Sequence, residues 1–515
     1  MTTTSQAPSP AGYPAPAQAA PPSIIQGGMG VGISGWELAA AVSRTGQLGV
    51  VSGTALEIVC TRRLQQGDPG GHMRRALAAF PVPAVAEWIL SAYFVPGGIE
   101  DGTLFRSVPR FTLEPADRLQ ELTVFANFAE VFLAKEGHSG AVGINFLRKI
   151  EMPLPAALYG AMLAGVDYVL MGAGNPGELP GMIRNLARHE DVSLGIKVQG
   201  ARSSDGPHVI TFSPTTLFAD GLFGAGRPFA TGTSPGAPHT LRAPQALAII
   251  ASTDLAAALA GDPTVRPDGF IVEGASAGGH NAPPRGPRRT DEVGQPVYDE
   301  RDEVDLPQIV ALGLPVWLAG SCGTPEALRS AHEIGAAGIQ VGTAFAFCAE
   351  SGFAPDLKQR VLDDVASGDI EVRSDWRVSP TGFPFRVLQM AETLSDPAVV
   401  EARTAVCDLG MLRSAYVTPD GKVGYRCPAE PAQAYLGRKG GREANRTGRI
   451  CLCNALLSSC GMPQRRRNGY VEPPVVTAGS DFSTVARLLK DGSGDNQAYS
   501  AADVVEHLLT GADQR

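Results

Sequence analysis

From residue 24 to about 350 the chain repeats one pattern. A short apolar run ends in glycines, and an Ala- and Leu-rich stretch with apolar residues at helical spacing follows. The runs are IIQGGMGVGI (24–33), LGVVSG (48–53), AVGINFL (141–147), DYVLMGAG (167–174), LGIKVQG (194–200), LAIIAS (247–252), GFIVEGA (269–275), PVWLAGS (315–321) and GIQVGTAFAF (338–347). Between them lie helical stretches such as GWELAAAVSRTG, AALYGAMLAG, ELPGMIRNLARH, TDLAAALAG and PEALRSAHEIG. Each helix must return the chain to the same end of the sheet, so the strands run parallel and the helices cover them. Eight or nine such units fit an α/β fold of the TIM (β/α)8 barrel type better than an open sheet. With 61 glycines and 6% aromatic residues, the composition suits many tight strand-to-helix turns.

Three parts are expected. Residues 1–23, rich in Pro, Ala and Ser, read as a disordered tail with neither the basic nor the apolar region of a secretory signal. Residues 24–365 read as the barrel. From 366 to 515 the alternation stops, and helical pieces (PAVVEARTAV, STVARLLK, SAADVVEHLL) predict a C-terminal α-rich extension. Within the barrel, AVAEWILSAY reads as a helix outside the repeat, and VITFSP with the Pro/Gly-rich stretch after it as a hairpin or flap. A net charge of −9 without long single-sign runs argues against nucleic acid or an acidic membrane surface as partner. No run of about eighteen apolar residues predicts a membrane span. Eight cysteines in 515 residues suggest reduced thiols in a cytoplasmic protein.

Barrel enzymes carry their sites at the C-terminal strand ends, with phosphate groups commonly near strands seven and eight. Here the seventh strand ends in Gly320-Ser321-Cys322-Gly323 before a helix, and the eighth in Gln340-Val341-Gly342-Thr343. Small residues let backbone N–H groups reach a phosphate, and a helix N-terminus favours its charge. Taken singly, each stretch also reads as a tight turn; together they favour a phosphate-bearing cofactor. In EGASAGGH (273–280), Gly278 and Gly279 remove side-chain bulk where a flat ring could lie against the backbone. His280 then stands at the barrel rim as an acid–base or hydrogen-bonding group. Lys197 is an odd charge for a buried strand unless it reaches the mouth or is salt-bridged. Arg285, Arg288 and Arg289 read as a solvated loop or a contact for a phosphorylated partner. Five cysteines, Cys407, Cys427, Cys451, Cys453 and Cys460, fall in the extension. Structural zinc favours Cys-x2–4-Cys pairs, so a Cys-x-Cys with scattered partners predicts buried thiols and no metal.

The stretches IIQGGMG, LAAAVSRTGQLGVVSG, GIN, GAGNP, EGASAGGH and QVGTAF, in this order, resemble the nitronate monooxygenase (2-nitropropane dioxygenase) family, which includes flavin-dependent enoyl-acyl-carrier-protein reductases. The resemblance spans residues 24 to about 355 and implies a TIM barrel with one non-covalent FMN. It implies that the backbone at Gly28 and Met29 lies against the isoalloxazine and that Asn145 hydrogen-bonds the ring or ribityl chain. Gly278 and Gly279 would flank the flavin. Gly320, Ser321, Gly342 and Thr343 would hold the phosphate, with Gln340 nearby, and His280 would be the active-site histidine. The chain departs from the family at Ser276, where a glutamate is usual, at Ser321 and Ala282, where glycines are usual, and in the longer insert APPRGPRRTDEVGQP. The expected activity is oxidation of alkyl nitronates with O2 to carbonyl compounds and nitrite. The alternative is an FMN-dependent enoyl-thioester reductase using NAD(P)H in fatty-acid or polyketide assembly, with an acyl carrier protein as candidate partner. A third reading is a flavin-binding protein without turnover.

Overall fold

The computed structural model describes residues 20–219, 240–491 and 498–513. Most of the expected tail, and the Gly/Pro-rich stretch after VITFSP, lie outside these residues. Eight parallel strands form the barrel: β1 (Ile24–Gln26), β2 (Gly49–Ser52), β3 (Val142–Leu147), β4 (Tyr168–Gly172), β5 (Gln245–Ile250), β6 (Gly269–Glu273), β7 (Val316–Ala319) and β8 (Gly338–Val341). From β2 to β8 each pairs with the next, and β8 pairs with β1 (Ile25 opposite Gln340), while β1 and β2 meet only at a bridge between Ile25 and Leu48. Closure is completed by Gln26 N donating to Leu48 O (2.9 Å) and Leu48 N to Ile24 O (3.1 Å). Strands covered on both faces need no polar alternation, which is why they read as continuous apolar runs. Ile25, Val50, Leu170, Leu247, Ile271 and Trp317 fill the interior. The Trp317 indole N–H finds the one polar partner it needs in Pro22 O, at 2.7 Å.

Helices α1 (Trp36–Arg44), α2 (Asp117–Lys135), α3 (Leu154–Leu163), α4 (Leu179–Ala187), α5 (Thr253–Gly261), α6 (Leu306–Val310), α7 (Pro325–Glu333) and α8 (Pro355–Ser367) surround the barrel. The sequence states their starts. Before α7, the Thr324 hydroxyl accepts from Ala327 N at 3.2 Å and Pro325 occupies the first helical position. AVAEWILSAY lies in a helix, Pro83–Tyr93, between β2 and α2.

One expected strand is not part of the barrel. Val192–Gly195, running into LGIKVQG, pairs antiparallel with Val209–Phe212 of VITFSP, a hairpin with the strand before it and not with the stretch after it, while Val198–Gln199 pairs with the extension. Burial alternates along the run, with Leu194, Ile196 and Val198 inside and Lys197 exposed. One buried face and one wet face define a peripheral strand, so Lys197 neither reaches the mouth nor needs a buried partner.

The extension contains strands as well as the expected helices: β9 (Val372–Asp375), β10 (Phe385–Leu388), β11 (Ser414–Val417) and β12 (Val423–Arg426). Two small sheets stitch it to the barrel. β10 pairs antiparallel with Gly279–His280 and with β9, and β11 pairs with Val198–Gln199 and with β12. Helices α9 (Leu452–Ser459), α10 (Ser483–Asp491) and α11 (Ala501–Asp513) follow, and α11 lies against α1 and α7.

Candidate active site

The C-terminal ends of the barrel strands open into a cavity of about 260 Å3. Its floor is barrel and its roof is extension, with Met411, Leu412, Leu452, Leu456 and the segment 477–479 facing the strand ends. Gly28, Met29, Asn145, Gly278, Gly279, His280, Gly320, Ser321, Gln340, Gly342 and Thr343 all line it. Residues scattered over three hundred positions of sequence are thus brought to one space.

The loop after β1 is braced from below. Gln26, fully buried, accepts from Val50 N (2.9 Å) and donates to the Ser34 hydroxyl (2.9 Å), which in turn accepts from Met29 N (2.9 Å). Neither Gln26 nor Ser34 stands out in sequence, because the bracing requires knowing that positions 26 and 34 meet. A Cβ on Gly28 would run into the Asn145 side chain, so this glycine admits Asn145 to the wall.

Gly278 has a different neighbour from the flat ring the sequence suggests. A Cβ there would stand 2.8 Å from the carbonyl carbon of Ala478, so the missing side chain admits the backbone of the extension. Gly479 N then donates to the Thr343 hydroxyl oxygen at 3.0 Å, leaving that hydroxyl its own proton to give.

Two features fit a flavin phosphate and ring. The Asn145 Oδ1 and Gln340 Oε1 atoms are buried without any hydrogen-bond partner, although both residues line the cavity. Buried amide oxygens left unpaired are costly, and a bound polar group would satisfy them. At the end of β7, Gly320 and Ser321 take positive φ (91° and 51°), turning the chain tightly just before α7. Successive N–H groups in such a turn make an anion-binding concavity.

His280 and Glu273 also line the cavity, and the Lys149 ammonium acts electrostatically on both. His280 Nε2 lies 2.6 Å from the Ser379 hydroxyl of the extension, and its ring meets Phe385 edge-on at 4.8 Å. Burial, reinforced by the Lys149 ammonium, pushes His280 down to about 3, so the imidazole is neutral. Lys149 donates to Ala173 O at 3.1 Å and sits 3.8 Å from the Phe383 ring centre. Burial lowers it to about 8, with Glu273 opposing. Glu273, ending β6 at the cavity wall, is raised by burial to about 7, with Lys149 opposing. Glu273 was readable as a carboxylate closing the apolar run FIVE, and Lys149 carried no sequence signal at all. Arg285, Arg288 and Arg289 are occupied: the Arg285 guanidinium donates to Ala251 O (2.9 Å), Arg288 stacks on Trp376 of the extension (4.4 Å) and Arg289 pairs with Asp299.

Residues 242–389 match the sequence model of a protein family described as Nitronate monooxygenase. That segment contains EGASAGGH and QVGTAF, and the resemblance drawn from those motifs holds there. FabK from Thermotoga maritima is 15% identical, covering 95% of this chain and 92% of its own, with a TM-score of 0.43. A nitroalkane oxidase from Streptomyces ansochromogenes is 15% identical, covering 96% of each chain, with a TM-score of 0.42. The enoyl reductase domain of MlnA from the macrolactin biosynthesis cluster of Bacillus amyloliquefaciens is 12% identical, covering 95% of this chain and 94% of its own, with a TM-score of 0.44. At such identities and scores these likenesses say nothing about function. No curated protein matches the chain. Among the described residues, no helix is long and apolar enough to cross a membrane.

Proposed function

We propose that the chain is an FMN-dependent oxidoreductase that oxidises an alkyl nitronate with O2, releasing a carbonyl compound and nitrite. The oxidoreductase class is supported by the family match over residues 242–389. The observation that carries the finer reading is a neutral imidazole lining the cavity, with the Lys149 ammonium near enough to act on it electrostatically. A nitronate arrives already deprotonated, so it needs a counter-charge and a hydrogen bond, not a strong base. Lys149 supplies the charge below about pH 8, and His280 supplies the hydrogen bond without competing for a proton.

Bound FMN would supply electron transfer and the reaction with oxygen. The residues that would hold it are Gly28, Met29 and Asn145 beside the ring system and Gly279 at its flank, Gly278 being taken up by the extension backbone. Gly320, Ser321, Gln340, Gly342 and Thr343 would hold it toward the phosphate. Ser379 fixes the His280 ring, and Met411, Leu412, Leu452 and Leu456 give the cavity an apolar roof.

A second reading is favoured by Glu273. A carboxyl raised to about 7 is protonated in about half the molecules at neutral pH and could deliver that proton to the α-carbon of an enoyl thioester, with NAD(P)H as reductant. An acyl carrier protein would then be the partner. The deciding experiment supplies purified chain with a preformed nitronate in air and, separately, with crotonyl thioester and NADPH without oxygen. Nitrite release supports the first reading. NADPH oxidation on the thioester without nitrite release in the other arm replaces it with the second. Flavin released on heating should be FMN; FAD would overturn the phosphate assignment.

A further inference from the structure

Among the described residues lining the cavity there is no lysine or arginine. The carboxyls that line it are Glu273, on the barrel, and Asp481, on the extension. Glu273, raised by burial to about 7, is neutral in part of the molecules. The Asp481 carboxylate accepts from Ser483 N, the first residue of α10, at 2.9 Å and forms no ion pair among the described residues. Arg386 reaches the neighbouring Ser480 hydroxyl and Ala275 O (2.7 Å) without lining the cavity.

Asp481 stands where the two small-residue loops meet the extension. Gly479 N donates to the Thr343 hydroxyl at 3.0 Å, after β8, and the Thr484 hydroxyl donates to Gly323 O, after β7. Asp481 lies in the chain between these two contacts and lines the same cavity as both loops. A Cβ on Gly479 would stand 3.1 Å from the Thr343 hydroxyl oxygen and 3.2 Å from Ser276 O, so this glycine seats the segment closely against the strand ends. The charge is felt there: burial and the Asp481 carboxylate push the Cys322 thiol, on the loop after β7, up to about 11.

On the FMN reading above, we propose that Asp481 sets how tightly the cofactor is held: the extension brings its carboxylate beside the phosphate end of the flavin as a like charge, which keeps the cofactor exchangeable. The N–H groups of the Gly320–Ser321 turn attract a phosphate through partial charges alone. With no guanidinium or ammonium on the wall, no charge-assisted bond offsets the carboxylate. A full negative charge within a Debye length of a phosphate is only partly screened. At the effective dielectric of a protein surface it weakens binding by about tenfold. Capping α10 does not call for that charge, because an uncharged Asn or Ser oxygen accepts from a helix N–H as well. Cap and charge can therefore be separated by substitution.

The test titrates purified full chain, freed of flavin, with FMN and with riboflavin, which lacks the phosphate, following flavin fluorescence. Asp481→Asn should bind FMN about tenfold more tightly than the wild type, and riboflavin equally. Should that variant fold poorly, Asp481→Ser, a second uncharged cap, should show the same gain. An FMN affinity unchanged or weakened by loss of the charge overturns the proposal. So does an equal gain for riboflavin, since the carboxylate would then act elsewhere than at the phosphate. A wild-type chain that binds riboflavin as tightly as FMN overturns it too, while leaving flavin binding intact. A chain that binds neither flavin overturns the FMN reading itself, and with it the role of Asp481.

Discussion

With its ring held near 3 by burial, His280 stays an uncharged hydrogen-bonding group from acid to neutral pH. His280→Ala should keep its flavin and lose turnover by about 10²–10⁴-fold, the range of a positioned proton-handling or hydrogen-bonding group. His280→Asn should recover much of this with a preformed nitronate, and little with a neutral nitroalkane or an enoyl thioester; steady-state kinetics on both substrates separates the cases. The same burial has a stability consequence. The unfolded chain protonates this histidine near 6.5 and the folded chain does not until about 3, so its neutrality costs stability as pH falls through 6.5. Urea melts should show His280→Asn gaining on the wild type by about 2 kcal/mol between pH 7 and pH 5. Lys149 should set the basic limb of kcat/KM near pH 8. Because the Glu273 charge holds Lys149 up, Glu273→Gln should move that limb to lower pH, and an unmoved limb would uncouple the two. At this scale His280 was legible, since a lone imidazole after two glycines is a local signal. The Lys149–Glu273 coupling was not, because it joins loops that only the barrel brings together.

At the scale of elements, the contact between the AGGH turn and the segment 477–479 is the joint on which the roof rests. A side chain at 278 must displace the Ala478 backbone, so Gly278→Val should cost about 1–3 kcal/mol and lower Tm. It should also speed proteolysis within the extension while sparing the barrel strands, as peptide mapping would show. The strands of the barrel were legible because apolar runs ending in glycine have few other uses. LGIKVQG joined them in the sequence reading because it too is short, largely apolar and ends in glycine; its alternating burial showed only once its partners were known. The four extension strands are each four residues long, too short for periodicity to register against their turn-rich surroundings.

For the whole molecule, barrel and extension share one apolar interior. Val504, Val505 and Leu508 of α11 are buried in the same core as Leu38 of α1 and Leu328 of α7. A chain ending before residue 366 would expose that surface together with the mouth. It should therefore be recovered as aggregate or as soluble protein without flavin; a soluble, yellow truncated barrel would show that the extension is dispensable. The extension's place over the mouth was not legible, since nothing local in residues 366–515 says which face of the barrel it will cover.

The cavity wall begins at Gly27 and closes at Val485, with α11 still to follow. On the ribosome, then, every barrel strand can be made and paired before the reaction chamber has a lid. Competence arrives only after the segment that ends the cavity wall has docked, long after the barrel strands are made. Loss of α11, which is buried against α1 and α7, should be as damaging as loss of a barrel strand. Contacts spanning nearly the full chain also make this the slow step of folding. Chaperone dependence should accordingly concentrate in the interval between completion of β8 and docking of α11.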